Sequence, residues 1–435
     1  MRGVRSLSCF SKRCYAAARR TDALTEPLAL QKTSTAAAPI TPQNVQVSKL
    51  PNGLVIASLE NYSPMSSVGV FVKAGSRYEG LESQGVSHVL RLAANLVTYT
   101  MVFSAECLRN DVDSLLDFLV NVTTAQEFRP WEVDELTSRV KVDKALAEQC
   151  PQISVIEKLH EAAYKNALSN SLYCPDYMVG HISSQQLQMF VEDNFTTSRM
   201  ALVGLGVNHS ILRQVGEGLL SVRSGPGAPG AKAVYRGGEM RLQNSDDLVH
   251  SLVVSEAAMT GSAEANAFSV LQRILGAGPH VKRGTSSTSK LSQGIAKATT
   301  QPFDATAFNS SYSDSGLFGV YTIAHADSAG EVIKAAVTQV RAVAEGSVSE
   351  ADITRAKNQV KAEYLMSLET SESLMEEIGA QALSTAAYQA PESVLQGVDA
   401  ITQADVVKAA KQFVDGKKTM ASCGHLINTP FVDEL

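Results

Sequence analysis

Apolar and polar positions follow two periodicities along this chain, and the same succession of them occurs twice. Leu54–Leu59 and Ser67–Lys73 are short apolar runs bounded by turn residues, which predicts strands. The stretch 86–94 then takes up helical spacing. In the second half, Glu239–Leu242 and Leu248–Ser255 precede a similar helix over Ala267–Leu275, which pairs Ser269 with His88 at an offset of 181. Each half also closes alike. Ile182–Leu202 and Ile401–Ala421 both open on polar N-cap residues and run through an amphipathic helix. Each ends in a basic turn and a strand, with Arg199 opposite Lys418 at an offset of 219. This order predicts an α+β fold of two related domains, each a mainly antiparallel sheet with helices against one face. The offsets differ by 38 residues, so the first copy is shorter, and the missing stretch falls after Leu96.

Composition adds the boundaries. A chain of 435 residues exceeds what one core usually serves. Residues 1–20 hold six Arg or Lys and no acid, with Val4, Leu7, Phe10 and Cys14 on one side of a helix, the pattern of a mitochondrial presequence. A flexible leader rich in Ala, Thr and Pro follows over 21–44. The Gly/Pro-rich stretch 224–234 reads as a linker between domains 45–223 and 235–435. Beyond residue 20 the balance is 32 basic against 44 acidic residues, which argues against nonspecific nucleic-acid binding. No run approaches the roughly 18 apolar residues of a spanning helix, so any membrane connection is through partners. The six cysteines show no C-x-x-C pair, which speaks against a disulfide framework or a thiolate zinc site.

One helix carries a suggestive but incomplete chemistry. In the inverted zinc motif H-x-x-E-H, two histidines one turn apart hold the metal and the glutamate activates water. The corresponding positions here are His88, Arg91 and Leu92. Leucine offers no ligand, and arginine stays protonated. A guanidinium ~5 Å from a divalent ion would repel it by about 6 kcal/mol at an effective dielectric near 20. His88 is therefore expected as a polar position on a packing helix, with no catalytic or metal-binding role. The acids Glu132, Asp134, Glu135, Asp143 and Glu148 of the stretch 131–149 are expected as a solvated helix face.

Other constellations are weaker. Leu275-Gly-Ala-Gly-Pro-His280 lacks the spacing of either phosphate-binding glycine motif, and with Lys282 and Arg283 it reads as a basic flexible loop. Ser313, Asp314 and Ser315 have no histidine near them in sequence, so turn chemistry explains them. The remaining histidines (160, 181, 209, 250, 325, 425) show no i,i+4 pairing and are expected to be structural.

Several segments together resemble the core protein 2 family of mitochondrial ubiquinol–cytochrome c reductase. That family belongs with the pitrilysin-type metallopeptidases and the mitochondrial processing peptidases. The carrying residues are Leu50–Ser58, Lys73–Glu79, Asn121–Thr124, Asn170–Tyr177, Gly261–Val270, Leu275–Gly284, Tyr312–Gly319 and Thr429–Leu435. The resemblance implies two α+β domains joined like a clamshell. It also implies a noncatalytic structural subunit on the matrix side of the inner membrane, without a cofactor of its own. Core protein 1, cytochrome b, cytochrome c1 and the Rieske iron–sulfur protein are the implied partners. In the family a further helix and strand stand between segments like Ala93–Leu96 and Met101–Leu108, which here are joined by 97–100. Two alternatives are a zinc endopeptidase or its substrate-binding subunit, and a peptide-binding module that does not cleave.

Overall fold

The fold is that of a computed structural model, which describes residues 44–94, 101–218, 225–227, 230–276 and 289–435. The first half contains strands β1 (Gln46–Lys49), β2 (Val55–Leu59), β3 (Met65–Val72), β4 (Met101–Leu108) and β5 (Met200–Leu205). Its helices are α1 (Val86–Ala94), α2 (Val112–Thr124), α3 (Pro130–Glu148), α4 (Pro151–Ala163), α5 (Ser184–Asn194) and α6 (His209–Gly218). The second half contains β6 (Gly238–Gln243), β7 (Leu248–Glu256), β8 (Phe303–Ser311), β9 (Gly316–His325) and β10 (Lys418–Gly424). Its helices are α7 (Ala263–Leu275), α8 (Lys290–Ala298), α9 (Ala329–Ala344), α10 (Glu350–Ser367), α11 (Ser371–Thr385), α12 (Pro391–Asp399) and α13 (Gln403–Asp415).

Local chemistry starts the paired elements in the same way. Ser183 caps α5 in a reciprocal box with Gln186, and Thr402 caps α13 with Asp405, each satisfying helix N–H groups that have no partner inside the helix. At the closing turns, Arg199 Nε donates to the Lys73 carbonyl at 3.0 Å and Lys418 Nζ to the Val414 carbonyl at 2.8 Å.

The two sheets have related orders, β1-β2-β5-β3-β4 and β6-β10-β7-β9-β8. Each contains one parallel pair, β2 with β5 and β6 with β10, amid antiparallel neighbours. The offset between copies is 183 residues at the starts of β2/β6 and β3/β7, and 215–220 at every pair from β4/β9 to β5/β10. The jump falls between α1 and β4. Six residues (95–100) separate Ala94 from Met101, against forty (276–315) between Leu275 and Gly316. Among the described residues, α8 and β8 have no counterpart in the first half. The short first copy foreseen from the repeat offsets is thus one helix and one strand short.

The expectation that helices cover one face of each sheet needs correction. On sheet one, Ile56, Val68, Val70 and Leu202 face the first half's own helices. The alternate residues Val55, Ala57, Phe71, Ala201 and Val203 face Met375, Ile378 and Ala382 of α11, from the second half. Reciprocally, Leu252, Val254, Leu317 and Ala421 of sheet two pack on Val155, Leu159 and Ala163 of α4, from the first half. Gly379 marks how closely α11 seats, because a Cβ there would lie 2.3 Å from the Phe71 ring. Strands buried on both faces read as continuous apolar runs, as β5 (MALVGL) does over its whole length.

Candidate functional site

The α1 helix begins where backbone N–H groups need partners, and the first half supplies them with a buried acid. The Glu79 carboxylate accepts from the Gly85 and Ser87 amides at 2.9 and 2.7 Å and from Ser87 Oγ at 2.5 Å. Burial pushes this carboxyl up to about 7 even against those three donors. One turn on, α1 presents His88, which is 1% exposed.

Both nitrogens of His88 are engaged. The Cys174 backbone N–H donates to Nδ1 at 3.0 Å, so Nδ1 carries no proton and Nε2–H donates to Asp143 Oδ2 at 2.9 Å. Burial lowers the imidazole pKa. The Asp143 hydrogen bond opposes that shift, and the nearby Arg91 charge adds to it. The ring is a neutral bridge between a backbone amide and a carboxylate. Arg91 Nη2 donates to the same Asp143 oxygen at 2.8 Å, and its guanidinium lies 5.3 Å from the Tyr173 ring centroid. Tyr173 in turn meets the His88 ring edge-on at 5.4 Å. Leu92 is half-buried and packs into the first-half core.

A zinc ion does not fit this arrangement. Metal ligation requires a free imidazole lone pair, and the Nδ1 lone pair is taken by an amide while Nε2 is protonated. The carboxylate that faces His88 is already neutralised by a fixed guanidinium. Among the described residues, no three His, Cys, Asp or Glu side chains come together as a metal site.

The structure brings His88 and Arg91 together, turns Leu92 into the core, and adds Asp143, Tyr173 and Cys174, which sequence reasoning missed. Asp143 corrects the expectation of a solvated acidic face. Glu132, Asp134, Glu135 and Glu148 are exposed as expected, whereas Asp143 is half-buried and held by His88 and Arg91. A signal for this was present: Val133, Leu136, Val140, Asp143 and Ala147 are spaced 3-4-3-4, so Asp143 falls on the inward stripe of α3.

The serine–aspartate turn has a structural task. Both nitrogens of the Arg77 fork engage Asp314, with Nη1 donating to Oδ1 at 2.8 Å, and the Ala233 amide donates to Oδ2 at 2.8 Å. The Arg77 hydrogen bond holds the Asp314 carboxyl below the ordinary carboxylate range. Ser315 Oγ meets Tyr164 Oη at 3.0 Å, and His160 Nε2 meets Tyr312 Oη at 2.5 Å. This cluster ties the two halves together and uses His160 structurally. His209 likewise bridges Ser48 and Ser58, and His250 meets Tyr321. His280, Lys282 and Arg283 of the glycine loop lie outside the described residues.

Comparison with known proteins agrees with this geometry. A family model described as the peptidase M16 inactive domain matches residues 181–360. A second, insulinase (peptidase family M16), matches in two pieces, 55–98 and 90–176, which break where α1 ends. The rat protein named cytochrome b-c1 complex subunit 2, mitochondrial, is 56% identical over 422 residues, covering 91% of this chain and 93% of the relative. Since 91% of 435 residues is about 396, about 26 aligned positions have no residue here. The Arabidopsis thaliana protein named probable mitochondrial-processing peptidase subunit alpha-1 is 28% identical, over 91% of this chain and 85% of its own. A chain from the solved structure of complex III2 from Candida albicans shares the fold, with a TM-score of 0.79 at 18% identity, covering 90% of this chain and 98% of its own. The doubled α+β architecture, the altered metal motif and the near full-length relatives converge: the chain belongs to the insulinase-type peptidase family M16, as a degenerate homologue without catalytic activity.

Proposed function

We propose that this chain is a noncatalytic structural subunit of the mitochondrial ubiquinol–cytochrome c reductase, complex III, needed for assembly and stability of the complex. The observation that carries this reading is 56% identity to a subunit of that complex over more than nine-tenths of both chains. The chain sits on the matrix side of the inner membrane and pairs with core protein 1. Cytochrome b, cytochrome c1 and the Rieske protein are its neighbours and hold the haem and iron–sulfur chemistry. Its attachment is peripheral; among the described residues no helix is long and apolar enough to cross a membrane. The repeats 45–223 and 235–435 are its two domains, joined by 224–234 and preceded by a presequence (1–20) and a leader (21–44).

Catalytic silence follows from His88, Arg91 and Leu92. Arg91 puts a permanent cation beside Asp143, at the position where the motif carries its glutamate, so no carboxylate general base stands on α1 to activate water. The hydrolase alternative is therefore not favoured.

Two measurements test the proposal. Blue-native electrophoresis of mitochondria, followed by mass spectrometry, should find the tryptic peptide 92–109, which spans the junction after Leu96, in the assembled complex. Its confinement to free or degraded material would mean that this shortened chain does not serve as the subunit. Elemental analysis of the purified chain should find no stoichiometric zinc. Zinc at one per chain, lost in His88→Ala together with chelator-sensitive peptide cleavage, would restore the enzyme reading.

A further inference from the structure

The second half shows what its scaffold is shaped to hold beside β9, and the first half keeps much of that shape. In the second half α8 buries Leu291 and Ile295 completely, four residues apart on one face. Its first residue, Lys290, places Nζ 3.1 Å from Asp352 on α10. Gly294 lets it press so close to α9 that a Cβ there would come within 2.0 Å of Gln339. β8 then pairs antiparallel along the whole of β9, from Phe303–Ala324 to Ser311–Gly316.

At the element offsets of 217 and 220, the residues under α8 have direct equivalents: Gln339 corresponds to Val122, Asp352 to Glu132, Ile353 to Val133 and Ala356 to Leu136. These first-half residues line a groove of about 360 Å³, whose apolar floor includes Leu90, Met101, Phe103, Phe128 and Phe195. Three acids, Glu127, Glu132 and Glu135, and one cation, Arg139, stand in its wall, and Arg129 lies 3.4 and 3.8 Å from Glu127 and Glu132, both pairs more than half exposed. Beside it, β4 pairs with β3 on one side and, among the described residues, has no strand on the other. The eight residues of β4 include no proline, glycine or lysine, the residues that ordinarily blunt an open edge.

We propose that this groove and edge form a docking surface for a polypeptide segment in trans, a short amphipathic helix followed by a strand. The helix lays two apolar side chains, four residues apart, onto Leu90, Phe128 and Leu136. A cation at its first turn meets Glu132, and the strand adds to β4 through main-chain hydrogen bonds. The chain's own α8–β8 unit is the pattern for this ligand, because it satisfies the equivalent surface of the other repeat.

The probe is a synthetic peptide of residues 289–311, added to the full chain. Trp131, the single tryptophan, is exposed at the start of α3, next in sequence to Glu132 of the groove wall. Binding should be saturable at one peptide per chain, shift the Trp131 emission, and slow amide exchange across 101–108. A peptide carrying Leu291→Asp and Ile295→Asp should bind at least tenfold more weakly. The surface variant Glu132→Lys should weaken the parent peptide several-fold and regain affinity for the Lys290→Glu peptide. Absence of saturable binding, equal binding of the Asp-substituted peptide, or protection elsewhere than β4 would overturn the proposal. The charge exchange keeps the test informative without disturbing the core.

Discussion

The two repeats solve the same folding problem with different amounts of chain, and the contrast shows what an extra helix and strand contribute. In the second half, β9 lies between β7 and β8, so its amides and carbonyls have partners on both sides. In the first half the equivalent strand, β4, is an edge among the described residues, and alternate backbone groups face outward. Its burial reflects this: β9 is almost entirely buried, whereas β4 alternates and opens toward its end. The helix starts differ as well. The α7 helix is capped by the Ser262 hydroxyl, while α1 relies on the buried carboxylate of Glu79. One cap is indifferent to pH near neutrality and the other is not.

The largest expected effect is in local stability. Outward-facing amides of β4 should exchange on the order of a hundredfold or more faster than their β9 equivalents, read by hydrogen exchange with mass spectrometry or NMR. Equal protection in both strands would remove the contrast between the repeats. Next comes the exchanged helix layer. Ile378 belongs to the second half but packs on sheet one, so Ile378→Ala should cost about 2–5 kcal/mol and deprotect β2 and β5. A loss confined to the second half, seen by residue-resolved exchange, would contradict that packing.

A smaller effect is expected at the lock between halves. Arg77→Ala leaves the Asp314 carboxylate without its cation. Both side chains are about 18% exposed, so a loss of about 1–2 kcal/mol is expected, below the range for fully buried pairs. A double-mutant cycle with Asp314→Ala in denaturant melts measures it, and a coupling near zero would count against the lock.

The smallest effect separates the two helix caps by pH. Folded Glu79 titrates at about 7 against an ordinary 4.5, so in that window the folded chain holds a proton the unfolded chain has lost. Its contribution is full below 4.5 and is lost as pH rises through 7. His88 acts in the opposite sense. Its folded value is depressed below 6.5, so its contribution is full above 6.5 and is lost as pH falls through the folded value. Ser87→Ala removes one donor to Glu79 and should move its carboxyl titration further up, at a cost of about 1 kcal/mol. Carbon-13 NMR of the Glu79 carboxyl reads this directly, and a midpoint near 4.5 would rule out the buried cap.

Much of this contrast could be read from the chain before folding was considered. The strands foreseen at 67–73 and 248–255 lie within two residues of Met65–Val72 and Leu248–Glu256. The short first copy was visible as a change of offset, because insertions leave periodic landmarks intact on either side. His88, Arg91 and Leu92 were legible because a helical motif keeps its spacing locally. The partners of that motif were not. Asp143 lies 55 residues from His88, Cys174 lies 86 residues away, and Asp314 lies 237 residues from Arg77. Such pairs are made by sheet order and helix packing, which no local period records. The second-face helices were missed for the same reason, although the uninterrupted apolar run of β5 signalled a strand covered on both sides.

The reciprocal placement of α4 and α11 fixes when the molecule can first be whole. A polypeptide emerging from its N-terminus would hold the rear of its first sheet wet until residue 385 had arrived, because Phe71 waits for Gly379. Until then that apolar surface is open to misassociation, and a truncation ahead of α11 removes the backing of a sheet hundreds of residues upstream. Neither repeat can finish alone, so quality control that senses either one senses both.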